Sequence, residues 1–580
     1  MNLKETIESF VYPHLNYLVQ MMADGGKDTK WMGIHCLNDK ENFTGGALML
    51  GTSQLFLYQK KTQPEKAELT WNHWLQFAEW AAQGKMATWG KLSALKSLWL
   101  LKQAGKWEAI PGELLDKLKK LTEYHDFFDV ETMKLRGHAT NYLHVAMAVA
   151  GYREKLGFEV LGMSEKIFKL FLQQLRARSP EGWMDDSEGY GRFDRYSFLI
   201  HTELADTCHA LEIPIPQQVK DGVCRSLKLL LELYNPQGDG IAYGRSLSAH
   251  GDLTAPEVVS TAAREGWLKE GQKDCAVQYC LAGIKKVLTF WFNREKQSFD
   301  LWFNGRTTNR YRQVHRIMEV NLDLCAQLIG TLHNMEQAGL AECSMEMELT
   351  QLKKELNCVK TTFLDPQNSF YAVHTPQRIW QLPVVGTGEW YQSPAYYPLP
   401  MAPQFVELPP ENPSDGSTLP VLLPLAELQD GRIVFPVQYF ANSIVQTASG
   451  GIEICIKLDA MAVAGEKEPQ PLENSGATLR YIFQEDGAVC AYFEYVSEEV
   501  PIRTLHMQWM SQADLIEQIP EGALFEGGSV NLKDWQMQPA ESVDQQTDYF
   551  TPHGPGKWVI RCEKQINGNT ATAQWILQQS

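Results

Sequence analysis

From the start of the chain to about residue 355, apolar residues recur at spacings of three and four. The stretches ALKSLWLLKQAGK (94–106), TNYLHVAMAVAGYREKLG (140–157), VCRSLKLLLELY (223–234), VNLDLCAQLIGTLHNMEQAGL (320–340) and MELTQLKKEL (347–356) all follow this pattern, which predicts helices. Gly105 and Gly157 stand where helix C-caps belong. Many helices, short connections and little strand signal predict stacked helical hairpins, and the lack of an exact sequence period argues against a simple solenoid. After about residue 360 the period becomes two. GIEICIKLDA (451–460) alternates, and TLRYIFQEDGAVCAYFEYV (478–496) holds two alternating runs around Asp486-Gly487, a hairpin signal. The proline-rich stretch from Tyr396 to Pro424 reads as loops and edge strands. The expected fold is therefore multidomain α+β. Helical hairpins occupy residues 1–357, and an antiparallel β-sandwich occupies residues 358–580.

Length agrees with this division, since 580 residues exceed what one ordinary core holds. Charge narrows the partners. A formal net charge of −17 makes the chain a poor general binder of nucleic acid or of an anionic membrane. An anionic ligand would need positive charge concentrated locally, and arginine is so distributed. Of 19 Arg, none precedes position 131 and 14 fall between Arg136 and Arg316. The guanidinium fork matches carboxylate or sulfate in a way lysine does not. Compositional drift and an anion-recognising middle region both account for this distribution. The N-terminal stretch reads as an amphipathic helix rather than a secretory signal, and no run of eighteen apolar residues predicts a membrane span. Eleven Cys, an odd number without a CxxC, lie partly in apolar runs. A cytoplasmic location is the simplest expectation, although a chain with its signal removed would read the same. A homo-oligomer is compatible with the sequence.

Four stretches carry candidate chemistry. In RGHATNYLHVAMAVAGYREKLG (136–157), Asn141 opens a helix and His144 shares its face, with His138 just ahead. Plain N-capping accounts for Asn141 equally well. In GWMDDSEGYGRFDRYSFLIH (182–201) a polar, glycine-bearing loop runs into a helix whose first turn holds Tyr196. Trp183, Asp186, Tyr190, Arg192 and Arg195 stand around it. Such a position presents a phenol to a cleft; the bland alternative has Asp194 capping the helix and Tyr196 in the core. In NPQGDGIAYGRSLSAHGDLTAPE (235–257), Tyr243 and Arg245 lie in a constrained loop, where a carboxylate-bridged structural Arg is the competing account. In FNGRTTNRYRQVHRIMEVN (303–321), Arg306, Arg310, Arg312, His315 and Arg316 either line an anion groove or form a surface patch.

Asn141, then Tyr196, then Arg245, in a helical half that precedes a β-sandwich, resembles the polysaccharide lyases with an (α/α) toroid, namely the chondroitin AC/hyaluronate lyase and heparinase II/III-like groups. The strings NYLHVAMAVAGYREKLG, GWMDDSEGYGRFDRYSF and YGRSLSAHG resemble more closely a bacterial family of unassigned function with the same architecture. The resemblance implies an N-terminal (α/α) toroid and a lyase acting by β-elimination on a uronate-containing oligo- or polysaccharide. That reaction removes the proton α to a carboxylate and expels the sugar at C4. The carboxylate must be neutralised by preorganised donors, a base takes the proton and an acid protonates the leaving oxygen. By this resemblance Asn141 and Arg245 hold the carboxylate, and Tyr196 is acid, base or both, with Tyr190 as second choice. His138, His144, Trp183, Asp186, Arg192, Arg195, Tyr243, Arg306, Arg310 and His315 bind the sugar. The sequence departs from those lyases in having no His ahead of the Tyr, where Asp185, Asp186 and Tyr190 lie; His138, His144 or His315 would replace it in space.

Two other readings stand beside this one. An unsaturated-uronyl hydrolase needs paired carboxylates, for which Asp185, Asp186, Glu188 and Asp194 face Asp239 or Asp252 as candidates. A non-catalytic carbohydrate-binding protein would use aromatics such as Trp89, Trp183, Tyr243 and Trp302 for stacking. No metal-ligand or nucleotide motif is present, so neither metal nor cofactor is expected.

Overall fold

The structure is a computed structural model. It describes the chain apart from residues 38, 179–180, 188–190, 304–305, 307–311, 346–357, 366–367, 377, 387–396, 403–421, 438–440, 449–450, 466–469, 512, 544–549, 552–553 and 579–580. The stretch expected to be helical at 347–356 lies outside the described residues, as does most of the loop region expected between Tyr396 and Pro424.

The helical half alternates two kinds of helix. Helices α1 (Tyr12–Gly25), α3 (Pro64–Ala82), α5 (Gly112–Leu121), α7 (Met163–Arg178), α9 (Gln217–Glu232) and α11 (Glu270–Lys286) form an outer layer. Helices α2 (Thr44–Thr62), α4 (Thr88–Gln103), α6 (Tyr142–Leu156), α8 (Arg195–Ala210), α10 (Thr254–Arg264) and α12 (Ile317–Gln337) form an inner one. The inner helices touch in the order α2, α4, α6, α8, α10, α12, and α12 returns to α2, which closes the ring. The outer helices pack on the inner ones or, for α5, on α3. This is an (α/α) toroid.

Burial differs between the layers. An inner helix is flanked on every side and is apolar or small nearly throughout, as in α6, where residues 143–153 are all buried. An outer helix needs one apolar stripe, as in α5, where Leu114 and Leu118 are buried among exposed lysines. Small residues allow close approach. A Cβ on Gly46 of α2 would lie 1.9 Å from the Gly90 carbonyl oxygen of α4. Helix ends follow local chemistry. The Asp39 carboxylate accepts the Phe43 and Thr44 N–H groups ahead of α2, and Gly105 and Gly157 take positive φ just past α4 and α6.

The second half is antiparallel. Three strands come first: β1 (Cys358–Asp365), β2 (Asn368–His374) and β3 (Ile379–Val384). In β2, Phe370 and Ala372 join the helical core while Tyr371 and Val373 join the sandwich core, so the two-residue period divides one strand between both halves. Beyond them, one sheet is built on the pair Ile502–Ser511 and Trp558–Gly568. The other is built on Gly451–Leu458, Ser475–Gln484, Val489–Ser497 and Thr570–Gln578. Their inner faces share one core, including Trp509, Ile560, Tyr481 and Trp575, which makes this a β-sandwich. The expected hairpin turns at Asp486-Gly487, with Phe483 opposite Val489 and Gly487 at φ +90°. No helix among the described residues is long and apolar enough to cross a membrane.

Candidate active site at the mouth of the helical ring

A cavity of about 300 Å³ is lined by residues in, or just ahead of, the N-terminal parts of the six inner helices. Its wall takes Phe43 and Ala47 from α2, Trp89 from the start of α4, Asn141 and Tyr142 at α6, Arg195, Tyr196 and Glu203 from α8, His250 and Glu257 near α10, and Arg316, Glu319 and Asp323 at α12. Helix N-termini carry partial positive charge, so their convergence favours anionic or electron-rich groups.

The loop 182–194 is a polar scaffold for this wall. The Asp185 carboxylate accepts the N–H groups of Ser187, Gly191 and Arg192, which fixes the turn. Asp186 is fully buried and receives Arg192 at 2.7 Å, the Arg245 guanidinium, and the Asn141 backbone N–H at 3.1 Å. Asp194 caps α8 by accepting the Tyr196 N–H at 2.9 Å and also meets Arg245 at 3.3 Å and Arg192 at 3.5 Å. Two aspartates and two arginines thus form one neutral, buried cluster. Balanced charge of this kind is the condition on which ions persist in a protein interior.

That cluster holds Asn141 and Tyr196. Asn141 stands at the start of α6, but its side chain makes no capping bond. Its Oδ1 instead accepts from Arg245 Nη2 at 3.2 Å. Because a guanidinium only donates, this contact fixes the amide orientation and leaves the Nδ2 N–H pair as the end for a ligand. The Arg245 guanidinium carbon lies 4.3 Å from the centre of the Tyr196 ring, and the phenol oxygen is 3.2 Å from Ser246 Oγ. Arg245 and Ser246 sit in a strained loop, with positive φ at Gly244 (90°), Ser246 (57°) and Ser248 (65°). Side-chain-bearing residues held in the left-handed region mark a backbone constrained by its surroundings.

The β-half clasps this loop. Gln381 of β3 accepts the Ala242 N–H at 2.9 Å and donates to the Gly240 carbonyl at 3.2 Å. Tyr243 is fully buried and stacks on Phe370 of β2 at 5.1 Å. The Gly191 carbonyl belongs to the same clasp, accepting the Gly386 N–H at 2.9 Å.

The candidates therefore divide. Asn141, Tyr196, Arg195 and Arg245 meet in the cavity wall, with Asp186 and Arg192 directly behind. His144 lies one layer back, bonded to Thr207 at 3.0 Å, with its Nδ1 3.3 Å from Glu203. His315 similarly backs Glu41 at 2.8 Å. His138 is exposed at the surface and stacks on Tyr142 at 4.5 Å, and partial desolvation of its ring lowers its pKa. Three expected sugar-binding residues are engaged within the protein itself. Trp183 is buried against Phe198, Tyr243 belongs to the interface, and Arg306 donates to the Phe290 and Asp300 carbonyls while covering the Phe290 ring. The aromatic or cationic face each would offer a sugar is already occupied. Tyr190, Arg310 and Glu188 lie outside the described residues. The other acids expected to pair are also occupied. Asp185, Asp186 and Asp194 serve the scaffold, and Asp239 and Asp252 hold Lys286 at 2.6 Å and 3.0 Å.

Sequence reasoning passed over Tyr142, Glu203, His250, Glu257, Glu319 and Asp323. The signal for His250 was present in the string YGRSLSAHG, four residues past the loop serine at 246. Its Nε2 lies 3.2 Å from Asp323. Burial, reinforced by Arg312, lowers its pKa to about 3, so the ring is neutral. An ionised Asp323 only accepts, which places the hydrogen on Nε2. Burial raises Glu257 to about 8 against the pull of Arg195, with Glu203, Asp323 and Asp206 pushing the same way. Burial likewise raises Glu319 to about 7, opposed by Arg316 and Arg312. Asp323, one turn along α12, stays below the usual range despite its burial, held by His250, Arg312 and Arg316. Among the described residues no group of three His, Cys, Asp or Glu is arranged to hold a metal ion.

No protein-family model and no curated protein matches the chain. Similar solved structures include heparinase III, with TM-score 0.44 and 7% identity over 93% of this chain and 77% of that one. A glycosyl hydrolase family 88 protein from Bacteroides vulgatus is similar with TM-score 0.37 and 11% identity over 57% of this chain and 99% of that one. A heparan sulfate lyase mutant from Pedobacter heparinus is similar with TM-score 0.34 and 8% identity over 98% of this chain and 82% of that one. All lie below a TM-score of 0.5, and the fold described above rests on its own ring of helix contacts.

Proposed function

We propose that the protein is a carbohydrate-active enzyme that cleaves a uronate-containing oligo- or polysaccharide by β-elimination in the cavity at the mouth of the ring. The observation that carries this reading is the treatment of Asn141, whose side chain is turned from capping its own helix and held by Arg245 beside Tyr196. A preorganised amide donor of this kind suits a carboxylate whose negative charge doubles as the α-proton leaves. Asn141 Nδ2 donates to that carboxylate. Tyr196 takes the proton from C5 and gives it to the leaving oxygen at C4, as the C4–O bond breaks and the C4–C5 double bond forms. The Arg245 guanidinium lies over the phenol ring, and Ser246 orients its hydroxyl. Arg245 acts here as a positioning residue through its Nε, committed to Asp194, and its Nη2, committed to Asn141 and Asp186.

One observation favours a hydrolase instead. Glu319 and Asp323 line the cavity one turn apart and have their pKa values pushed in opposite directions, the pattern of an acid beside an ionised partner. Ultraviolet absorbance during incubation with glucuronate- and galacturonate-containing oligosaccharides separates the two. Growth of the unsaturated-uronate band, reduced at least about 10²-fold in Tyr196→Phe, supports elimination. Cleavage without new absorbance, abolished in Glu319→Gln, would replace it by hydrolysis. Binding without cleavage would leave a carbohydrate-binding protein.

A further inference from the structure

The cavity contains an arginine that already has a counter-ion. Arg195 is fixed on its Nε side by the His250 carbonyl at 2.8 Å and Thr254 Oγ1 at 3.1 Å, and its Nη2 meets Glu257 Oε2 at 2.8 Å. The Arg195 side chain is 4% exposed and that of Glu257 20%, and both line the cavity. The charged groups facing Glu257 are Arg195 and Glu203 from α8, Asp206 further along α8, and Asp323 from α12. The neutral His250 ring bonds to Asp323 on the same side.

Above about pH 8, where Glu257 is ionised, an acidic sugar brought to Arg195 would meet a guanidinium neutralised by Glu257, with two further carboxylates, Glu203 and Asp323, in the wall. One arginine would then face two anions in a largely buried cavity. Uncompensated negative charge there is costly, because burial disfavours the charged form. Arg195 cannot relieve it, being already fully protonated. Glu257 can, by taking a proton from solvent and remaining beside Arg195 as a neutral acid.

We propose that Glu257 is the built-in partner of a carboxylate- or sulfate-binding Arg195, and that it holds a proton whenever an acidic sugar occupies the cavity, so that substrate uptake and proton uptake are linked wherever the empty site leaves Glu257 ionised. This deepens the proposed function and rests on it. The raised pKa of Glu257, about 8 in the empty site, sets the window. Below that value the carboxyl is already protonated and binding takes up no proton. Above it, binding must bring one in, and affinity falls by up to about tenfold per pH unit. Glu319, paired with Arg316 at 2.9 Å, is the neighbouring group whose titration must be separated from this one.

Isothermal titration calorimetry tests this with the full chain carrying Tyr196→Phe to suppress turnover. Glucuronate- and galacturonate-containing trisaccharides are titrated in two buffers of different ionisation enthalpy, at about pH 6 and at about pH 9. The expected result is close to one proton taken up per sugar at the higher pH and almost none at the lower, with affinity falling about fivefold between pH 8 and pH 9. Adding Glu257→Gln should remove most of the uptake and of the pH dependence. Binding without proton uptake at the higher pH overturns the proposal and leaves the functional reading standing. Uptake that persists in Glu257→Gln assigns the proton to Glu319 and also overturns it. No binding of any acidic sugar, with a neutral trisaccharide behaving alike, overturns the functional reading and this inference with it. The wild-type cavity residues give the uptake measurement independently, so failure of Glu257→Gln to fold does not remove the test.

Discussion

At the scale of single residues, Asn141 separates two accounts of the same position. As an N-cap it would contribute about 1 kcal/mol to helix stability. Its side chain makes no such bond and accepts from Arg245 instead. Asn141→Ala is therefore expected to shift the thermal midpoint little while lowering turnover of an acidic oligosaccharide by about 10²-fold. Differential scanning calorimetry beside an activity assay checks this; a large loss of stability with turnover retained would restore the capping account. The position itself was legible in the sequence, as were Tyr196 and Arg245, because an Asn, a Tyr and an Arg in polar stretches at the starts of helices are conspicuous. Their roles were not. Which group a buried amide turns to depends on a loop 104 residues further along the chain. The acids of the cavity were harder still to see. Glu203, Glu257 and Asp323 each lie on an ordinary helical pattern, and only closure of the ring reveals that they face one space.

At the scale of elements, the three-to-four spacing identified helices and the two-residue spacing identified strands, and in both halves the described residues follow them. The spacing could not rank the helices into layers. An all-apolar helix such as α6 announces burial, but α2 and α12 meet only because the chain returns on itself, and no local pattern encodes that return. Small residues are the trace it leaves. Gly46 in α2 approaches Gly90 in α4 so closely that an added methyl would strike a carbonyl oxygen rather than a flexible side chain. Gly46→Ala must push the two helices apart, with an expected cost of about 1–3 kcal/mol. Urea denaturation measures it, the midpoint falling with an unchanged slope. Since Phe43 and Trp89 stand at the starts of those same helices and line the cavity, the displacement should also weaken binding of an acidic sugar.

At the scale of the whole molecule, the chemistry is divided between halves that the sequence presents as separate. Every cavity residue named above belongs to the helical half, yet the loop bearing Arg245 and Ser246 is anchored to the first strands of the other. Gln381 bridges the Ala242 N–H and the Gly240 carbonyl, two backbone groups that would otherwise lack those bonds, and its own side chain is buried. A buried bridge of this kind resists removal because both backbone groups lose a partner together, at a cost of about 1–3 kcal/mol. The nearby positions Gly244, Ser246 and Ser248 all sit at positive φ, so the loop has conformations of lower local energy to relax into once the bridge is lost. Gln381→Ala is thus expected to leave the toroid and the sandwich folded while releasing the segment between them. Hydrogen exchange should quicken at residues 240–248 and remain slow in α6 and α8. Turnover should fall with it, because Arg245 then no longer fixes the Asn141 amide beside Tyr196. Exchange that stays slow in that segment, with turnover unchanged, would show that the toroid positions the loop without help from the strands.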